Sequence, residues 1–193
     1  MVRKRLSSRA RWFWGIGAAL AVTAVVVAGL VFQPWLLFID VRVDDEIPAT
    51  VATTPAAASP AAEPTGDATP APPPPPAAPV DLLTGSFVSH EHPTTGTVRV
   101  IEHPDGTRQL AIVGLETTNG PDVHVWLSAG PVLEGFDGWF TAAGYEYVDL
   151  GPIKGNIGDQ LYDIPAGVDL NAFRTVDLWC VQFAVSFGAA ALA

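Results

Sequence analysis

The sequence predicts an all-β domain over residues 82–193, an antiparallel β-sandwich or barrel, preceded by one N-terminal transmembrane helix and a disordered Pro/Ala-rich linker. The C-terminal half alternates short β-like runs with turn signals, which is typical of sandwiches and barrels. An apolar run of membrane-spanning length follows a basic N-terminus. Alanine, proline and threonine dominate the stretch between these parts. The predicted boundaries are 1–11 for a basic flank, 12–38 for the helix, 39–81 for the linker and 82–193 for the domain.

The N-terminal segment has the charge pattern of a single-pass membrane anchor. Five of the first eleven residues are basic, and residues 12–32 are apolar over a length that crosses a bilayer core of roughly 30 Å. The positive flank is expected to stay in the cytoplasm, which places the domain outside the cell membrane. A cleaved signal peptide is the alternative, but its apolar region would be shorter and would end in a small-residue site.

Residues 44–80 are predicted to be a spacer rather than a folded part. Pro72 to Pro76 is an unbroken proline run, and the segment has too little apolar surface to form a core. Extended at about 3.1 Å per residue, it would hold the domain up to roughly 100 Å from the membrane. The proline run as a ligand for a polyproline-binding domain is the alternative.

Seven strands are predicted in the domain. Alternating apolar and polar residues in Thr97–Glu102 indicate a half-buried strand, and Asp105-Gly106 predicts a hairpin turn after it. No convincing amphipathic helix is found here. The predicted strands are Gly85–Ser89, Thr97–Glu102, Gln109–Leu115, His124–Ser128, Glu146–Leu150, Gln160–Ile164 and Val176–Phe187.

The stretch Thr175–Phe183 is predicted to be a central strand, because both of its faces are apolar. It contains Cys180, the single cysteine of the 193 residues, so no disulfide forms within the chain. Cys180 is either a small buried hydrophobe or a reactive redox residue. No base lies nearby in the strand, which favours burial.

Composition and motifs exclude several classes of function. From residue 80 onward fourteen acidic residues face four basic ones, so phosphate-driven binding of nucleic acid is not expected. The residues 150–158 lack the phosphate-loop pattern, and the common hydrolase signatures are missing. A conventional enzyme is therefore not predicted.

Several short motifs, in this order and spacing, resemble the DM13 family, labelled electron transfer DM13. The resemblance covers about Leu83 to Leu192. It implies an all-β extracellular domain with a proposed redox role centred on a cysteine, here Cys180. The motifs are Gly85-Ser-Phe87 with His90, Gly96-Thr-Val98, Gly120–Ser128, Leu150–Gly155 with Gly158, Tyr162–Pro165, Val176–Cys180 and Phe183–Gly188.

The histidines offer a candidate metal site. His90-Glu91-His92 would place two imidazoles on one face of an extended chain. His124 or the Cys180 thiolate would supply a third ligand, and such a set suits copper or zinc. Solvated histidines at a strand end, and a structural His124, are the alternative.

Two functions follow from these features. One is a membrane-tethered redox module that exchanges electrons with a partner protein through Cys180 or a bound metal. The other is a non-catalytic adhesion or ligand-binding module displayed on a stalk. The exposure of Cys180 distinguishes them, because direct thiol chemistry needs an accessible thiolate.

Overall fold

A computed structural model describes residues 8–50 and 78–193 of the chain. The first helix, α1, spans Ser8–Phe32, and a short 3₁₀ segment, η1, spans Pro34–Phe38. A longer 3₁₀ segment, η2, spans Gly135–Gly144. The strands are β1 (Arg42–Asp44), β2 (Val80–Ser89), β3 (Thr95–Glu102), β4 (Arg108–Glu116), β5 (Val123–Ser128), β6 (Tyr147–Pro152), β7 (Ile157–Ile164), β8 (Thr175–Cys180) and β9 (Val185–Ala191).

The domain is a single curled sheet of nine strands, which confirms the predicted all-β class. The strand order is β1-β7-β4-β3-β2-β9-β8-β5-β6, and every pair is antiparallel except β1 with β7. The predicted hairpin turn between β3 and β4 is confirmed. There the Asp105 carboxylate accepts bonds from the Thr107 amide and hydroxyl, at 2.9 and 2.7 Å, and Gly106 takes a positive φ of 83°.

The curl of the sheet places β3, β4 and β7 opposite β5, β8 and β9, and their inward-facing side chains form one core. Alternation along each strand decides which residues enter it. On β5 these are Val123, Val125 and Leu127, and on β8 they are Val176, Leu178 and Cys180. The intervening residues of these strands lie on the outer face of the sheet.

Strand β8 is central, as predicted, because it lies between β9 and β5 and all six of its residues are buried. The predicted single strand Val176–Phe187 is wrong, however, since it is two strands joined by a tight turn. Ala184 adopts a left-handed conformation in this turn, with φ of 52°, and Val181 and Phe183 are exposed. These two residues are apolar but exposed, so their apolar character did not indicate a continuing buried strand.

The segment η2 covers the outer face of β5 and β8. Ala142 of η2 packs with Trp126 and Trp179 in a second, smaller apolar cluster. Gly138 allows this approach, since a Cβ at that position would lie 2.1 Å from the Leu133 oxygen and 2.6 Å from His90 Nε2. The outer face of β5 and β8 is consequently covered by η2 and does not face solvent.

The chain before the proline-rich segment also belongs to the sheet. Arg42–Asp44 pairs in parallel with Ile157–Asp159, and Asp45 forms an ion pair with Lys154 at 2.5 Å. The buried Asn156 accepts a bond from the Val41 amide at 2.7 Å. Residues 41–46 are thus ordered against the domain, although they lie inside the range 39–81 predicted as linker.

The two described ends of the proline-rich segment meet on the domain surface. The Thr50 hydroxyl donates to the Asp81 carboxylate at 2.9 Å, and the Arg99 guanidinium binds both residues. The segment 51–77 between them lies outside the described residues. The prediction that this segment is a spacer therefore stays a prediction.

Among the described residues, no helix is both long enough and apolar enough to cross a membrane. The transmembrane helix expected over 12–38 is therefore not found as such, and the helix present in this region is α1.

Candidate functional site

Cys180 is the last residue of β8 and is fully buried, with none of its surface exposed. It pairs with Val123 on one side and Val185 on the other, and its side chain lies in the main core. Burial raises the pKa of the Cys180 thiol above its ordinary value. Backbone amides of Phe183, Asp122 and Gln182 interact with the thiol and lower its pKa, but burial is the larger effect.

The position of Cys180 beside a turn explains these amide contacts. The chain reverses over residues 181–184, and the Val181 amide donates to the Asp122 oxygen at 2.9 Å, which holds the turn against the β5 end. Amide groups near a cysteine sulfur favour its anionic form, which lowers the thiol pKa. Burial outweighs the amides at Cys180, so this residue is a protonated thiol.

An apolar groove of about 330 Å³ lies next to this turn. Its walls include Val185, the strand partner of Cys180, together with Phe183 and Phe187. Its polar rim contains His92 and Glu91. A planar apolar molecule fits the chemistry of this lining better than a charged one.

The structure does not bring the candidate metal ligands together. Strand β2 ends at Ser89, so His90 and His92 are not on an extended chain, and their rings contact adjacent residues of β9 that face opposite sides. His90 reaches Ser186 on the outer face, whereas His92 packs on Phe187, with 3.9 Å between ring centroids.

His124 is held elsewhere, between two carboxylates. Its Nδ1 lies 2.9 Å from Asp149 and its Nε2 lies 3.3 Å from Asp122. No group of three or more histidine, cysteine or acidic side chains in residues 8–50 and 78–193 is arranged to hold a metal ion. The fold therefore keeps the candidate ligands His90, His92 and His124 apart, and they do not form one metal site.

A buried polar chain, which the sequence did not predict, runs along the outer face of β8 and β9. Asp177 is 2% exposed, and burial raises its pKa to about 7, although a hydrogen bond with Ser186 lowers it. Ser186 Oγ lies 2.7 Å from His90 Nδ1, and His90 Nε2 lies 2.9 Å from the Leu133 carbonyl oxygen. The His90 ring must donate from Nε2, since a carbonyl only accepts.

The donor direction between His90 and Ser186 follows from the protonation state of His90. Burial lowers the pKa of His90, so its ring is neutral and Nδ1 accepts from the Ser186 hydroxyl. Ser186 also forms a hydrogen bond with Asp177, which is protonated below about pH 7. One Asp177 oxygen, Oδ1, has no hydrogen-bond partner among the described residues. This polar chain is uncharged below about pH 7, and one of its buried oxygens has no hydrogen bond to the described residues.

Three aromatic rings stack beside Asp177. Tyr147 of β6 lies on Trp126 of β5, with 3.6 Å between centroids and 8° between planes. Trp126 in turn stacks on Trp179 of β8, at 5.1 Å and 22°. Tyr147 is 48% exposed, while Trp126 and Trp179 are 5% and 3% exposed. We call these three residues the aromatic stack; it leads from the surface to the residue before Cys180.

One signal for this second site was present in the sequence. Asp177 is a lone carboxylate in a strand whose other residues are apolar or small, and acidic residues are rarely fully buried. The stacking partners were not predictable, because Tyr147, Trp126 and Trp179 come from three strands whose register depends on the whole sheet.

Comparison with known proteins gives one match. A family model described as "Electron transfer DM13" matches residues 86–192, which is more than half of the chain. No curated protein and no solved structure matches the sequence. The matched range contains β3 to β9 and the last four residues of β2, with Cys180, Asp177 and the aromatic stack.

Proposed function

The chain belongs to the DM13 family, and we propose that it is an electron-transfer module in which Cys180 is the redox-active residue. One observation carries this proposal. The single cysteine lies fully buried at the end of the central strand, and an apolar groove lies behind its strand partner Val185. Burial at this position keeps water away from the sulfur.

The burial of Cys180 limits which redox chemistry it can perform. Thiol–disulfide exchange requires a thiolate that a second sulfur can reach. Cys180 is fully buried, its thiol pKa is raised, and these 193 residues contain no second cysteine. We therefore assign Cys180 to one-electron chemistry with a redox partner protein, in place of disulfide exchange.

The experiment is an oxidative titration of the purified full chain with ferricyanide, beside the Cys180→Ser variant. The wild type is expected to consume oxidant at Cys180, whereas the serine variant consumes less. Labelling of the native thiol by a maleimide reagent should be slow and should become fast on unfolding. Equal oxidant consumption by both proteins, with both folded, would refute the assignment to Cys180. Metal analysis of the same samples tests copper and zinc directly.

A ligand-binding or adhesion module is the second candidate, and the groove beside Cys180 favours it. Phe183 and Phe140 line the groove and are partly exposed, which is the kind of apolar surface that binds a ligand or a partner. Two results together would favour this function. An apolar dye should bind the wild type but not Phe187→Ala, and Cys180→Ser should consume as much oxidant as the wild type.

We also propose that α1 attaches the module to a membrane, with the basic flank on the cytoplasmic side. The support is the basic N-terminus and the exposed apolar side chains of α1, among them Leu20, Val25 and Leu30. Protease added to intact cells should cut in the segment 51–77, as read on a denaturing gel. A chain that is cut only after the membrane is opened, in cells whose envelope admits the protease, would refute this orientation.

A further inference from the structure

Two contacts hold the end of α1 against the domain. The ring of Phe32, the last residue of α1, stacks on Phe183 in the turn between β8 and β9, with 6.0 Å between centroids and 6° between planes. The Gln182 side-chain amide donates to the Val31 carbonyl oxygen at 2.6 Å, and it thereby satisfies one of the carbonyls that a helix leaves open at its C-terminal end. The domain therefore lies directly against the end of α1.

The connection from α1 to the sheet is short and follows the same side of the domain. Only residues 33–41 join the end of α1 to β1, and even fully extended they span at most roughly 30 Å. Just after η1, the Ile39 carbonyl oxygen accepts a bond from the Asn119 side-chain amide at 3.2 Å. Asn119 also lines the apolar groove beside Cys180, so this connection adjoins the groove.

Exposed aromatic side chains continue from the end of α1 across the domain. Phe183 lines the apolar groove together with Phe140 of η2, whose ring lies 5.4 Å from that of Phe136. Trp35 of η1 lies beside α1, where a Cβ on Gly29 would be 3.9 Å from its ring. Each side chain of this set is at least 44% exposed. We call the set the aromatic face; it comprises Phe32, Trp35, Phe38, Phe136, Phe140 and Phe183.

The charges around the aromatic face favour one kind of surface over another. Residues 31–41, η2 and the turn 181–184 contain no lysine or arginine, whereas Asp40 and Asp137 are acidic. Anionic headgroups would therefore be repelled rather than bound. Exposed aromatic rings prefer the boundary between headgroups and acyl chains, where no charge pairing is needed. This chemistry fits a zwitterionic lipid surface.

We propose that the aromatic face lies in the interface of the membrane that holds α1, with its rings between zwitterionic headgroups and acyl chains. The proposal rests on the attachment of α1 proposed above, and it adds the orientation of the domain and its contact with lipid. The groove opens on the same face. A domain seated in this way presents its groove to molecules that the membrane itself carries.

The test is electron paramagnetic resonance of spin-labelled full chains in phosphatidylcholine vesicles. It compares collisions of each label with oxygen, which is enriched in the bilayer, and with a water-soluble nickel chelate. Phe140→Cys and Phe183→Cys are made separately in a Cys180→Ala chain that circular dichroism shows to be folded, and both labels should favour oxygen. Asp105→Cys, in the β3–β4 turn at the opposite end of β2 and β3, is the control and should favour nickel.

A label at Val25→Cys in α1 separates this proposal from the attachment of α1. A Val25 label that favours oxygen, with labels at Phe140 and Phe183 that favour nickel, would overturn the seating of the domain and leave the attachment. That outcome is the one expected of a domain held away from the bilayer on a spacer. A Val25 label that favours nickel would remove the attachment, and the lipid contact would then stand only if the other two labels still favour oxygen.

Hydrogen exchange of the full chain in phosphatidylcholine nanodiscs tests the same contact without any cysteine substitution. The double variant Phe136→Asp, Phe140→Asp places two charges in η2 and should speed exchange of the amides of residues 181–184, which it does not alter directly. Leu82→Asp, an exposed apolar residue at the far end of β2, is the matched control and should leave this exchange unchanged. Equal exchange in the wild type and the double variant would overturn the proposal.

Two other occupants of the aromatic face give distinct results. Spin–spin broadening between labels at Phe183 would show that a second copy of the chain covers the face, and this would overturn the assignment to lipid. Labels that favour oxygen only when phosphatidylglycerol is added would show an electrostatic contact with anionic lipid, which would overturn the assignment to a zwitterionic surface.

Discussion

Replacing Asp177 by asparagine should remove one component of the pH dependence of folding. In the folded chain the pKa of Asp177 is about 7, against an ordinary value of 3.8. Since one pKa unit corresponds to 1.36 kcal/mol, ionising this buried group costs about 4 kcal/mol of folding free energy. Asparagine cannot ionise, and it is close in shape to the protonated acid, so the variant avoids this cost.

The direction follows from proton binding. Between about pH 4 and pH 7 the folded state holds a proton on Asp177 that the unfolded state has lost, so the free energy of unfolding falls as pH rises. The stabilising contribution is complete below the ordinary pKa of 3.8 and is lost as pH passes the folded pKa of about 7. His90, whose pKa is lowered, acts in the opposite direction in both proteins.

The assay is urea unfolding of the full chain, followed by tryptophan fluorescence at a series of pH values. The difference between wild type and Asp177→Asn should grow in favour of asparagine from about pH 4 to pH 7, by an amount on the order of 4 kcal/mol. Asp137→Asn, an exposed carboxylate on η2, is the control and should give a curve parallel to the wild type. Parallel curves for wild type and Asp177→Asn would show that Asp177 is not held protonated.

Three further predictions concern stability. Cys180→Ser should lower the free energy of unfolding by about 1–3 kcal/mol, because the new hydroxyl is buried in an apolar core, and Cys180→Ala, measured alongside, should cost less if the hydroxyl is the cause. Gly138→Ala should destabilise by about 1–3 kcal/mol in thermal unfolding, since its Cβ would lie 2.1 Å from the Leu133 oxygen, whereas the open Gly144 tolerates the same change. A fragment of residues 80–193 should unfold at lower urea than one of residues 40–193, because it lacks β1 and two hydrogen-bond partners of Asn156, Asp40 and Val41; identical midpoints would show that this segment contributes nothing.

The strands could be predicted where the local pattern decides them. Val98 and Val100 alternate with polar neighbours, and the Asp105-Gly106 turn follows, so β3, its turn and β4 were all visible. The apolar neighbours of Cys180 favoured its burial but left a reactive thiol open, and the structure places it in the core. These features depend on residues close together in the sequence.

The features that were missed depend on distant residues. Arg42–Asp44 is too short and too polar to read as a strand, and only the free edge of β7 makes it one. The break after Cys180 has no glycine or proline; Ala184 takes the left-handed conformation instead. The separation of His90 from His92 and the stacking on Trp126 are set by strand pairing across the sheet, which no local pattern records.

Thr50 and Asp81 both contact Arg99, so the residues on either side of the segment 51–77 lie close together. This contact determines the effect of a cut in that segment. The cost of closing a loop rises only slowly with its length, so insertions or deletions in residues 51–77 should be tolerated without loss of the domain. Proteolysis there would leave α1 and β1 in one piece and β2 to β9 in the other. The two pieces would stay associated through the β1–β7 pairing and the Asp45–Lys154 ion pair. A nick would thereby turn a covalent attachment into a reversible one, held by a strand of three residues.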